Sequence, residues 1–199
     1  MTRVTEPDPR RPSVTIRARD LLTALLLAAL VWSPLTPGPA SAGGNAKLER
    51  KARQALDELY ATRPEQGPLR DKAIAVLVFP NVVKAGFMFG GQIGQGVLFR
   101  NGKAAGEYNT VAVSYGLQAG AQAFGYVLFF MNESAIEYLN KSGGFEVGVG
   151  PSIVVLDEGM ASSMTSSTLT QDIYAVIFNQ SGVMAGVGIQ GSKITKTSK

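Results

Sequence analysis

The sequence contains no cysteine and no histidine. Without cysteine there is no disulfide and no thiolate nucleophile. Without either residue the usual zinc sites and the Ser-His-Asp and Cys-His triads are excluded. A histidine general base working near neutral pH is excluded as well. Charge is also sparse: 19 Lys and Arg stand against 15 Asp and Glu, a formal net charge of +4. The single tryptophan is Trp32. Glycine, by contrast, is abundant at 23 of 199 residues, well above the usual ~7%. Apolar residues make up 45%, too many for a disordered chain, and the length suits one domain.

The first forty residues read as an address. Arg3, Arg10, Arg11, Arg17 and Arg19 precede an uncharged run, Leu21–Trp32, and then SPLTPGPASA. A basic segment, a short apolar run and a small-x-small site predict a secretory signal peptide over 1–42, cleaved after Ala42. The run is too short for a transmembrane helix, which needs about 20 residues, and Pro34, Pro37 and Pro39 follow it. The alternative is an uncleaved anchor segment. Arg10-Arg11 also touches the twin-arginine pattern, although Pro12 follows directly. A lipid-anchored form is not expected, because that processing requires cysteine. Beyond residue 42 there are 14 basic and 12 acidic residues, a net of +2. That balance argues against nucleic acid as the main partner, and aromatic and basic residues hardly interleave.

Residues 43–199 read as one domain. Leu48, Ala52, Ala55, Leu56 and Leu59 recur at helical spacing over Asn45–Thr62, with Asn45 as N-cap and Pro64 as stop. A short helix is expected from Gly67-Pro68. Ile74–Phe79 is a strand-length apolar run that Pro80-Asn81 should end. Asn101-Gly102 between two strand-like runs predicts a hairpin. Tyr126–Met131 (YVLFFM) does not alternate, so it predicts a strand covered on both faces. A helix near Glu133–Asn140 is expected, with Ser134 and Glu137 as a capping box. Asn179–Gly182 reads as a turn. The prediction is an α+β fold of three helices and seven or eight strands, with a strongly curled, mainly antiparallel sheet packed by the N-terminal helices. Glycines recur inside the strand patterns, at Gly86, Gly90, Gly91, Gly94, Gly96, Gly116, Gly120 and Gly125 among others. They imply sharp bending or close approach of another backbone. The large set Phe87, Met88, Phe89, Phe99, Phe124, Tyr126, Phe129, Phe130 and Phe178 is expected mostly in the core.

Two motifs tempt and fail. Gly186–Gly191 matches G-x-G-x-x-G, but SKITKTSK follows instead of a helix. GGQIGQG at Gly90–Gly96 lacks the Lys-Ser/Thr ending of a phosphate loop. The candidate acid/base carboxylates are Glu107, Glu133, Glu137, Glu146, Asp157, Glu158 and Asp172, and no spacing among them predicts a shared pocket. Ser162–Ser167 has no nearby Lys as a base. No enzymatic activity, cofactor or metal is expected.

Four stretches resemble the SYLF domain family: Val78–Leu98, Ser114–Gln122, Gly144–Gly150 and Asp172–Thr195. With the leading helix they span essentially 45–197. The resemblance implies a lipid-binding module rather than an enzyme, with anionic phospholipids, notably phosphoinositides, as ligands. Some fungal members bind actin, a role not expected of an exported chain. In some eukaryotic members a segment before the domain inserts as an amphipathic helix; here the leader and the Ala42–Asn45 joint take that position, so insertion by this route is not expected. The family defines no catalytic residues, so none is transferred. Basic side chains are the natural headgroup ligands: Lys84 first, then Lys47, Arg50, Lys51 and Arg53. The expectation is peripheral binding to a membrane surface, in the periplasm or cell envelope. The rivals are an envelope structural or protein-interaction domain and a small outer-membrane β-barrel.

Overall fold

Asn101 and Gly102 take φ of 50° and 72°, the left-handed pair of a two-residue hairpin turn. The two strands they join are unusually long, β1 over Ala75–Arg100 and β2 over Lys103–Phe130. The computed structural model describes residues 42–141, 144–147, 150–156, 169–182 and 191–197, all within the unit Ser41–Lys199. Before the hairpin come α1 (Ala42–Thr62), a 3-10 turn (Pro64–Gln66) and α2 (Gly67–Lys72). After it come α3 (Glu133–Leu139), β3 (Phe145–Glu146), β4 (Ile153–Leu156), β5 (Ile173–Gly182) and β6 (Lys193–Lys196).

β2 is the spine of the sheet. β1 pairs with it from Ala75↔Phe130 to Arg100↔Lys103. On its other edge β5 pairs with Gln122–Phe130 and β6 with Tyr108–Val111. β3 adds to β6, and β4 adds to β5 in the one parallel pairing among the described residues. The fold is therefore α+β with a curled, mainly antiparallel sheet, as the short connections implied.

Two apolar cores lie on the two faces. Leu77, Phe79, Tyr126, Leu128 and Phe130 join α3 residues Ile136 and Leu139 in one. Val78, Val127 and Phe129 join Ala52, Ala55 and Leu59 of α1 and Leu69 of α2 in the other. Strand side chains alternate between faces. A strand covered on both faces therefore has no polar positions to alternate, which explains the unbroken runs IAVLVF and YVLFFM.

Arg53 docks α1 onto the hairpin turn. Its Nε and Nη2 donate to Glu49 Oε1 at 3.2 and 2.8 Å, and Nη1 donates to the Gly102 carbonyl at 2.9 Å. Its guanidinium lies 4.7 Å from the Phe99 ring centre.

Four local expectations change. α1 starts at Ala42 rather than after Asn45; once a helix is nucleated, extending it through Gly43-Gly44 costs only about 1 kcal/mol per Gly. Pro80-Asn81 does not end β1, because a bulge between Phe79 and Val82 absorbs it, leaving the proline outside the ladder. Asn179–Gly182 belongs to β5, with Asn179 at φ 50°, because pairing with Gln122 and Ala123 holds the segment extended. The α3 cap is Asn132, whose side chain accepts from Ala135 N, while Ser134 Oγ donates to Asn132 Oδ1.

Asn132 has a second role. Its Nδ2 donates to Asp172 Oδ1 at 2.7 Å, and Ser152 donates to Asp172 Oδ2 through both N and Oγ. The Asn132 bond first, then the two from Ser152, hold the Asp172 carboxyl below its usual range. A lowered folded-state pKa means that this stabilisation is complete above the unfolded value of about 3.9. It is lost as pH falls through the lower folded value. Urea midpoints measured from about pH 5 down to about pH 2 should fall less steeply in Asp172→Asn than in the parent. Identical slopes would mean that these three bonds do not favour the charged form.

Candidate functional site

The β1–β2 ribbon is folded back on itself. A Cβ on Gly96 would sit 2.6 Å from a Phe79 ring carbon, and one on Gly94 would sit 2.6 Å from Val82 Cγ2. The first and second halves of β1 therefore lie against each other, and glycine makes the approach possible. The reversal comes at Gly86–Gly90, where a Cβ on Gly86 would collide with Gly90 Cα and stand 2.6 Å from the Phe89 carbonyl oxygen.

The ends of this ribbon are covered and its middle is not. Phe99, Phe124, Tyr126, Phe129, Phe130 and Phe178 are buried, as expected. Phe87 and Phe89 are the exceptions, 75% and 68% exposed. They sit at the reversal. Ile93 and Val113 are also open, at 64% and 84%, and Val83 and Val111 are about half exposed. Little charge dilutes this surface. Lys84 is the only charged residue from Ala73 to Phe99, and Tyr108–Asn132 carries none.

A groove of about 480 Å³ runs where α1 meets this surface. Leu48 and Lys51 of α1 line one side, and Val83, Ile93, Asn109 and Val111 of the ribbon line the other. Of the five basic residues singled out from sequence, the structure brings Lys51 to this groove. Lys47 is exposed one turn earlier on the same helix, and Arg50 is exposed beside it. Arg53 is engaged by Glu49, Gly102 and Phe99. Lys84 is half-buried opposite Gln122. Strand alternation puts it on the other face from Val83, so it does not join Lys51.

The other motifs fall elsewhere. Gly90–Gly96 is strand rather than loop. Glu133 pairs with Arg100. Asp157, Glu158, Ser162–Ser167 and Gly186–Gln190 lie outside the described residues.

Residues 111–199 match the Ysc84 family, described as Las17-binding protein actin regulator. Over that segment the chain is similar to the SYLF family, consistent with the resemblance read from its sequence. Protein YSC84 of Saccharomyces cerevisiae is 27% identical over 132 residues, 63% of this chain. The match spans 28% of that relative's length. Within this chain the matched Ysc84 segment begins at Val111 in β2 and runs through β3–β6. Lys47, Arg50, Lys51, Arg53 and Lys84 all precede it. The exposed Phe87, Phe89 and Ile93 precede it too, while Val113 lies within it. Sequence reasoning missed the open apolar residues because a strand pattern does not say which strand segment is covered. The available signal was the near absence of charge around Gly86 and Gly90.

Proposed function

We propose that this SYLF-like domain binds anionic phospholipid peripherally at a membrane surface and performs no catalysis. The observation that carries this reading is the groove in which Lys51 adjoins exposed Val83, Ile93 and Val111. A cation beside an open apolar strip suits a lipid headgroup above its acyl chains, whereas a soluble anion would need no apolar rim. Lys47 lies four residues from Lys51 on α1 and extends the same basic edge. The leader pattern over 1–42 supports export to the cell envelope. Las17 and actin belong to the description of the relative's family. For an exported chain, lipid is the partner these residues favour.

Each Lys near an anionic surface contributes about 1 kcal/mol. Lys47→Ala/Lys51→Ala should therefore weaken flotation of the full chain with phosphatidylglycerol vesicles by about 30-fold. Its urea midpoint should not change, since both side chains are exposed. Binding should also weaken with salt on the scale of the ~10 Å Debye length at 0.1 M. Undiminished flotation would remove the two lysines from the site, and flotation with neutral vesicles alone would remove the anionic preference. The protein recovered from envelope extracts should begin at Gly43, and an intact Met1 terminus there would count against the leader.

A further inference from the structure

We propose that the reversal of the β1–β2 ribbon, carrying Phe87 and Phe89, is the element that enters the bilayer. This rests on the lipid reading above and says how that surface is engaged. Phe87 and Phe89 are exposed at the tightest turn of the ribbon, between Gly86 and Gly90. The two cores are filled by other aromatics, and neither Phe87 nor Phe89 belongs to them. Open Ile93 and Val113 continue the apolar surface away from the turn.

Charge selects the occupant. No acidic residue lies between Asp71 and Glu107, and none between Glu107 and Glu133. The lone cation in the bend region is Lys84. Three residues at about 3.3 Å each place it about 10 Å back along β1 from Phe87. That distance fits a Phe among acyl chains and an ammonium among anionic headgroups, the depth typical of interfacial anchors. A soluble protein partner would not require a bend free of acids over its whole length.

The test uses the full chain with Trp32→Phe, so that one introduced indole reports alone. In Phe87→Trp, phosphatidylglycerol vesicles should shift the emission to the blue, and quenchers on the acyl chains should act on it. In Val155→Trp, an exposed apolar site on β4 outside the ribbon, neither should happen. In parallel, Phe87→Ala alone and with Phe89→Ala should lower vesicle affinity about tenfold per Phe, with the urea midpoint of Phe87→Ala unchanged. Unquenched emission in Phe87→Trp with undiminished flotation of the alanine variants would overturn the wedge and leave headgroup binding at Lys51 standing. Failure of the parent chain to float would overturn both. Two further results would also overturn it. One is a dimer that dissociates on Phe87→Ala with vesicle binding unchanged, which would assign the patch to a second copy. The other is an indole in Phe87→Trp already shielded without vesicles, which would assign the patch to the chain's own N-terminal segment.

Discussion

Replacing Phe129 by alanine is expected to remove about 4 kcal/mol of folding stability, the largest effect of any substitution considered for this protein. Phe129 is fully buried. It sits on β2 between Val76 of β1 and Tyr174 of β5. It faces the helices, with the Tyr60 ring of α1 tilted at 42° and 6.4 Å from it. Truncation removes apolar area and leaves a cavity between sheet and α1, and elements pinned on both sides collapse into it only partly. Globular domains hold about 5–15 kcal/mol in all, so this one side chain carries a large share. The same Phe→Ala change at exposed Phe87 should leave stability nearly unchanged. Urea unfolding of both variants measures the contrast. A loss under about 1 kcal/mol at Phe129 would mean that α1 does not seal that face.

Gly96→Ala is expected to cost about 3 kcal/mol, the upper end for an overpacked site. The added methyl would stand 2.7 Å from the Val78 carbonyl oxygen as well as against the Phe79 ring. A ring can turn aside, but a carbonyl held in the sheet cannot move without opening the folded ribbon. The entropic gain of Gly→Ala in the unfolded chain, about 0.4–1 kcal/mol, is too small to offset this. Gly91→Ala is the control in the same strand: its Cβ would meet only the Ala112 carbonyl, at 4.0 Å. It should be neutral or slightly stabilising. Equal midpoints for the two variants would refute the close packing of the two halves of β1.

These two contrasts bear on function. The glycines let the ribbon fold, and the apolar side chains at its middle stay exposed. The open apolar surface with Lys51 at its edge follows from that geometry rather than from a contiguous motif in the chain.

The sequence by itself determined what depends on near neighbours along the chain. The helical spacing of Leu48, Ala52, Ala55 and Leu59 specified α1. Asn101-Gly102 specified the hairpin, since few other pairs hold both residues at positive φ. The unbroken YVLFFM run specified a strand covered twice. The glycine recurrence specified close approach, though not of what to what. The tertiary structure alone decided where local signals competed with long-range pairing. Pro80-Asn81 and Asn179–Gly182 look like breaks, yet ladder bonds to β2 carry both strands through them. Lys84 and Val83 are neighbours in the chain but fall on opposite faces of β1. Phe87 and Phe129 are the same residue in similar apolar strands, yet one is open and the other sealed. Whether an apolar side chain is covered depends on where the ribbon turns, and that is set by contacts between residues far apart in the chain.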